Sequence, residues 1–299
     1  MYSMNRLRIL REVSLRGSLA AAAEALGYNP SSVSHQLKLL EGEVGVALLE
    51  PVGRGVRLTE EAAILVRHTE SILRHLESAE AEIALAQETV RGTVRVASFQ
   101  TAAHTVIPRA LLALRAAHAD LHVSVAHIPV ELALPAMLAR DFDLVLQEEY
   151  PGHPLPAVEG AEVTSVGRDP LWLLSPDRDP ARRIEDLADR EWVMEPTGTQ
   201  ARRWAVAECR NAGFEPNVAH ESSDVLLHIR LIAAGLAVGL VPGLALAASS
   251  TSGVSAHRLP GAPARRIAVA VRRGGGHSPG IDAVRQAIGR ATAEQLAGA

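Results

Sequence analysis

The sequence predicts a mixed α/β protein in which a helical head precedes a larger part that alternates strands and helices. Helical periodicity fills the first ninety residues, and strand–helix alternation fills 93–299. The composition, 47% hydrophobic and 21% charged, is that of a folded chain, which excludes disordered, collagen and disulfide-scaffold classes. At 299 residues, the length suits two domains or one domain with an appendage. The single cysteine, Cys209, excludes an internal disulfide and a cysteine zinc site, and fits a reducing compartment.

In the head, Leu7, Leu10 and Val13 form one apolar stripe of a first helix that Gly17 stops. Ser18 is the expected N-cap of a second helix, LAAAAEAL, whose small side chains allow close approach and which ends at Gly27. Asn29 is the expected N-cap of a third, with Pro30 at its first position, where a missing N–H costs nothing. Val33, Leu37 and Leu40 lie on one face of that helix, and Ser31, Ser34, His35 and Lys38 point away from it. Residues 51–58 read as two short strands around Arg54, followed by Arg57. Helix–turn–helix plus hairpin is a winged module suited to DNA: a helix N-terminus for phosphate, short polar side chains for base edges, and an arginine on the wing. The formal charge of −4 argues against a chain coated in nucleic acid; residues 1–60 carry the local basic excess, so a polyanion contact belongs there.

Thr59, Glu60 and Glu61 open a long helix in which Leu65, Thr69, Ile72, Leu76, Ala79, Ile83 and Ala86 alternate spacings of four and three. That seam predicts a coiled coil able to pair two copies and to space their third helices along a two-fold DNA site. Beyond it, strands are expected at 94–97, 121–126, 144–147, 163–166, 171–174, 237–241 and 267–271. Helices are expected at 107–117, 130–139, 202–212, 225–234 and 281–295. The alternation predicts parallel sheets in two subdomains, with a ligand cleft between them at the carboxyl ends of strands. The charge-free run 231–256 is broken by Gly235, Gly239, Pro242 and Gly243 and reads as buried core. The opening MYSMNRLRILREV lacks an apolar segment of the secretory type, so a cytoplasmic protein with no membrane association is expected.

Taken together, the motifs GSLAAAAEALGYNPSSVSHQLKLLEGEVGVALLE, GRGVRLTEEA, FDLVL and the 232–242 run resemble the LysR-type transcriptional regulators over essentially the whole chain. The resemblance implies a winged helix–turn–helix at 1–60, a dimerising linker helix at 61–90 and an effector-binding domain of the periplasmic-binding-protein type at 91–299. Lobe I would comprise 91–162 and 266–299, and lobe II 163–265. It implies promoter DNA and a small-molecule co-inducer as partners, no further cofactor, a homodimer that pairs into a tetramer, and RNA polymerase as a further partner. Asn29, Pro30, Ser31, Ser32, Ser34, His35 and Lys38 then face DNA, with Arg54 and Arg57 on the wing. His35 stands where arginine is common in the family, Leu49 where phenylalanine is usual and Pro51 where arginine is frequent.

By the same resemblance, Ser98, Thr101, Thr197 and Thr199 match hydroxyl positions that hold a carboxylate or other anion of an effector; an ordinary helix N-cap is the alternative reading of each, compatible with the first. Pro129 and Val130 stand where a hydroxyl is frequent, which predicts a more apolar pocket. No nucleophile elbow, metal-binding helix or phosphate loop is present, so an enzyme is not expected. His118, His122 and His127 read as surface residues, Cys209 as a core thiol, and Trp172, Trp192 and Trp204 as core. The competing reading is a solute-binding protein with a helical appendage, which leaves the polar face of the third helix without a purpose.

Overall fold

The computed structural model describes residues 1–52, 55–87, 90–275 and 278–298, so Arg54 lies outside the described residues. The chain forms two compact units, Met1–Ile83 and Ala84–Ala299.

The first unit contains α1 (Met4–Arg16), α2 (Leu19–Leu26), α3 (Pro30–Val44), the hairpin β1 (Leu49–Val52) and β2 (Gly55–Leu58), and most of α4 (Glu60–Ala86). The caps follow the sequence. The Ser18 hydroxyl accepts from Ala21 N at 3.1 Å, and the Asn29 side chain accepts from Ser32 N at 2.8 Å. Gly17 and Gly27 close their helices in the left-handed region, at φ 72° and 68°. Leu7, Leu10, Val13, Ala22, Ala23, Val33, Leu37 and Leu40 share one core, each large aliphatic contributing about 1.5–3 kcal/mol by burial. Ion pairs brace it: Arg6 to Glu43 joins α1 to α3, and Arg11 to Glu70 joins α1 to α4.

The heptad seam of α4 divides in two. Leu65 packs on the head core, and Thr69, wholly buried, donates to Leu65 O at 2.7 Å. Further along, Ile72, Leu76 and Ile83 are exposed by 39%, 48% and 59%.

In the second unit, β3 (Gly92–Ser98), β4 (Leu121–His127), β5 (Leu144–Glu149), β6 (Ala161–Pro176), β9 (Gly239–Pro242), β10 (Val254–Arg258) and β11 (Ala264–Arg272) form one seven-stranded sheet. The pair β7 (Glu191–Met194) and β8 (Asn217–Glu221) forms a second, two-stranded sheet. The expectation of parallel sheets is corrected. Among the described strands only β3–β4, β3–β5 and β7–β8 run parallel; β11 is antiparallel to β5 and β6, and β6 to β9 and β10. Apolar runs mark strands but not their direction, and β11 returns from the second lobe to lie between β5 and β6.

The separate strands expected at 163–166 and 171–174 are one strand, β6, bridging the lobes. Its residues 161–170 pair with β11, and 171–176 serve β9 and β10. The helix expected to start at 107 is α5 (Gln100–Ala117). Its polar first turns carry little apolar spacing, and Pro108 inside it mimics a start. The remaining helices are α6 (Val130–Leu138), α7 (Gln200–Asn211), α8 (Val225–Ala233), α9 (Gly243–Ala248) and α10 (Pro279–Ala297). Trp192 and Trp204 are core, whereas Trp172 is half-buried with the Arg258 guanidinium 4.3 Å above its ring. Among the described residues no helix is long and apolar enough to cross a membrane.

Candidate functional site

Two surfaces carry function-bearing side chains, one in each unit. On the first, Val33, Leu37 and Leu40 anchor α3 inward, which leaves Pro30, Ser31, Ser32, His35 and Lys38 exposed and Ser34 half-buried. Asn29 is exposed yet occupied: its side-chain oxygen caps α3 and accepts the Ser31 hydroxyl at 2.6 Å. Arg57 on β2 is exposed and pairs with Glu50 of β1 at 2.9 Å. One arginine of the head serves its interior among the described residues: Arg11 is 2% exposed between Glu12 and Glu70. The basic residue on the outer face of α3 is Lys38.

The second surface is a cavity of about 130 Å³ in the Ala84–Ala299 unit. It opens at the ends of β3 and β4, and four helices, α5, α6, α7 and α8, begin at its wall with Gln100, Val130, Gln200 and Val225. Thr199 caps α7 by accepting from Arg202 N at 3.2 Å, and Asp224 caps α8. Among the described residues no side chain caps α5 or α6. The cavity therefore faces several positive helix ends.

Of the residues expected to meet an effector, Thr101, Val130 and Thr199 line this cavity. Ser98 is 1% exposed and donates to Phe99 O, and Thr197 faces Glu221 at 3.4 Å. The strongest polar feature escaped the sequence reading. Arg265, 2% exposed, donates from Nε and Nη2 to Asp169 at 2.9 and 2.7 Å, and from Nη2 to Thr101 Oγ1 at 2.7 Å. It also donates to Glu148. Burial works against the Arg265 charge, but Glu148 and Asp169 outweigh it and raise its pKa. Burial also pushes the Glu148 and Asp169 carboxyls upward while Arg265 pulls them down. Glu195, in the cavity wall, is pushed up to about 8 by burial and by Glu148, against Arg265 and the Thr199 hydroxyl. Sequence separations of 96 and 117 residues hid this cluster.

Cys209 is wholly buried in the second lobe, and burial pushes its thiol up to about 12.

A helix–turn–helix head in one unit and a two-lobed α/β domain in the other, with a cleft whose largely apolar lining holds a few charged side chains, define a ligand-responsive transcriptional regulator. The comparisons with known proteins agree. Residues 4–63 match the model of bacterial regulatory helix-turn-helix proteins of the lysR family, and residues 87–293 match the LysR substrate binding domain. The chain belongs to the LysR family of transcriptional regulators. It is 28% identical to the HTH-type transcriptional regulator CbbR of Xanthobacter flavus, covering 91% of this chain and 82% of that one. Among solved structures, a cysteine-to-aspartate variant of full-length OxyR from Pseudomonas aeruginosa aligns with a TM-score of 0.70 at 18% identity, over 96% of this chain and 95% of that one. Full-length CbnR complexed with its target DNA aligns with a TM-score of 0.54 at 22% identity, over 97% and 99% of the two chains.

Proposed function

We propose that this regulator acts as a homodimer, paired along α4 and assembling into a tetramer, that reads a two-fold promoter sequence with its two α3 helices. Asn29, Pro30, Ser31, Ser32, Ser34, His35 and Lys38 meet the major groove, and Arg54 and Arg57 meet the backbone or the adjacent minor groove. A small molecule binds the cleft lined by Thr101, Val130 and Thr199, with Ser98 and Thr197 as its further contacts. It favours one arrangement of the lobes, and the α4 pair passes this on as a change in head spacing. No cofactor beyond that effector is needed and no reaction is catalysed. The protein works in the cytoplasm, where promoter DNA and RNA polymerase are its partners.

The observation that carries this reading is the two-sidedness of α3, whose apolar face is buried while its polar face stands open. Fluorescence anisotropy of the full chain on its own promoter region and on a scrambled duplex tests it. Preference for the promoter, falling steeply with salt, is expected; equal affinity for both duplexes refutes it.

A further inference from the structure

Resting on the effector reading of the cleft, we propose that its ligand carries a protonated amine, seated among Glu131, Glu148 and Glu195. All three carboxylates line the cavity, and Arg265 is the one Lys or Arg among its described lining residues. That cation is already spent. Asp169 takes Nε and Nη2, Thr101 takes Nη2 as well, and Glu148 takes Nη1. At most one of the five guanidinium N–H donors is left for a ligand. A purely anionic effector would enter a wall with a formal excess of carboxylates and find that arginine engaged, an arrangement that selects against it.

An ammonium reverses the balance. It brings three N–H donors and no acceptor, matching the acceptor oxygens of Glu131, of Glu148 beside its bond to Arg265, and of Glu195 once that group ionises. The uncapped starts of α5 and α6 at the same cavity suit a carboxylate carried by the same molecule. Amino acids and simple diamines share the amine and differ in that second group, so a test can separate them. Facing Glu195 are Glu131, Glu148, Tyr150, Arg265 and the Thr199 hydroxyl, with His228 beside the adjoining cavity. Glu195, held up at about 8, is mostly uncharged at neutral pH in the empty cleft. An arriving ammonium favours its ionised form, so binding should expel a proton.

The test uses the full chain and three probe sets: L-amino acids, α,ω-diamines such as 1,4-diaminobutane, and amine-free carboxylates such as succinate and benzoate. Thermal shift finds binders, and calorimetry in two buffers of different ionisation heat counts protons. Members of an amine set should raise Tm and release about one proton per bound molecule near pH 7. Glu195→Gln, checked for a cooperative melt, should abolish that release and weaken amine binding about ten- to a hundred-fold; Glu148→Gln should weaken it as well. Stabilisation by amine-free carboxylates alone, or by none of the three sets, overturns the proposal. In the first case the cleft reading stands. Amine binding that Glu131→Gln, Glu148→Gln and Glu195→Gln all leave unchanged overturns both.

Discussion

Gln100 and Asp224 clasp the two lobes of the ligand-binding domain. The Gln100 carboxamide donates to Asp224 Oδ1 at 2.6 Å and accepts from Val225 N at 3.0 Å, so the first residue of α5 holds the cap of α8 across the cleft. A ligand that alters lobe closure must stretch or keep this pair. Gln100→Ala removes both bonds, which together stabilise the closed arrangement by about 1–3 kcal/mol. Hydrogen exchange at the amides of Val225, Leu226 and Leu227 should quicken several-fold in the variant. Unchanged exchange rates there would show that the lobes stay together without the clasp.

The buried Arg265–Asp169 pair should be a stability element first. Asp169 is wholly buried, and its Oδ1 also accepts from Leu244 N at 3.1 Å, which fixes the start of α9. Asp169→Ala leaves a guanidinium without its main partner at 2–3% exposure and should cost about 3–5 kcal/mol, read by urea unfolding. A loss below about 1 kcal/mol would mean that Glu148 and Thr101 suffice for Arg265.

The raised Glu195 carboxyl gives a pH signature. Its pKa is about 8 in the folded chain against 4.5 for the free group, so between those values the native state holds a proton that the unfolded state has lost. Its contribution to stability is therefore complete below about pH 4.5 and is lost as pH rises towards 8. Glu195→Gln should flatten the stability profile in this window, raising Tm more at pH 8 than at pH 5. Parallel profiles for the two proteins would contradict the assignment.

On DNA, His35→Ala should relax discrimination among related sites, a good base contact being worth about 1–3 kcal/mol. Arg57→Ala should weaken binding to all sequences alike and lower the salt slope by about 1. Equal effects of both changes on specificity would refute this division of labour.

Much of the head was legible because its signals are local. Asn29 before Pro30, Ser18 after Gly17 and the spacing of Val33, Leu37 and Leu40 each report on neighbours within one helical turn, and each recurs in the structure. The seam of α4 was legible as a pattern. Which part of it turns inward depended on the head core, where Ala62, Leu65 and Val66 of α4 join Leu48. In the second unit, strand positions were recoverable where apolar residues cluster. The strands at Glu191–Met194, Asn217–Glu221 and Val254–Arg258 were missed because they are short or alternate polar residues. The cleft charges were hidden for a different reason. Thr101, Glu148, Asp169 and Arg265 meet only after the sheet has brought α5, β5, β6 and β11 together. A single carboxylate in a sequence does not announce its partner.

Cys209 offers a check on chemistry. The chain resembles an OxyR structure in fold, but it holds one cysteine, and that thiol is buried and pushed up to about 12. Native protein should resist Ellman's reagent and react only after unfolding, because the thiolate is the reactive form. Rapid reaction of the native chain would contradict the packing of the second lobe.

The central claim is that two α3 helices, paired through α4, read one stretch of duplex. Ile72, Leu76 and Ile83 are the exposed apolar side chains on which that pairing rests. Sedimentation of the full chain with a labelled promoter duplex tests this directly, beside Leu76→Glu. We expect two or four protomers per duplex, and for Leu76→Glu a lone protomer with DNA affinity lowered by at least ten-fold, about 1.4 kcal/mol. One wild-type protomer per duplex at saturation would contradict the account.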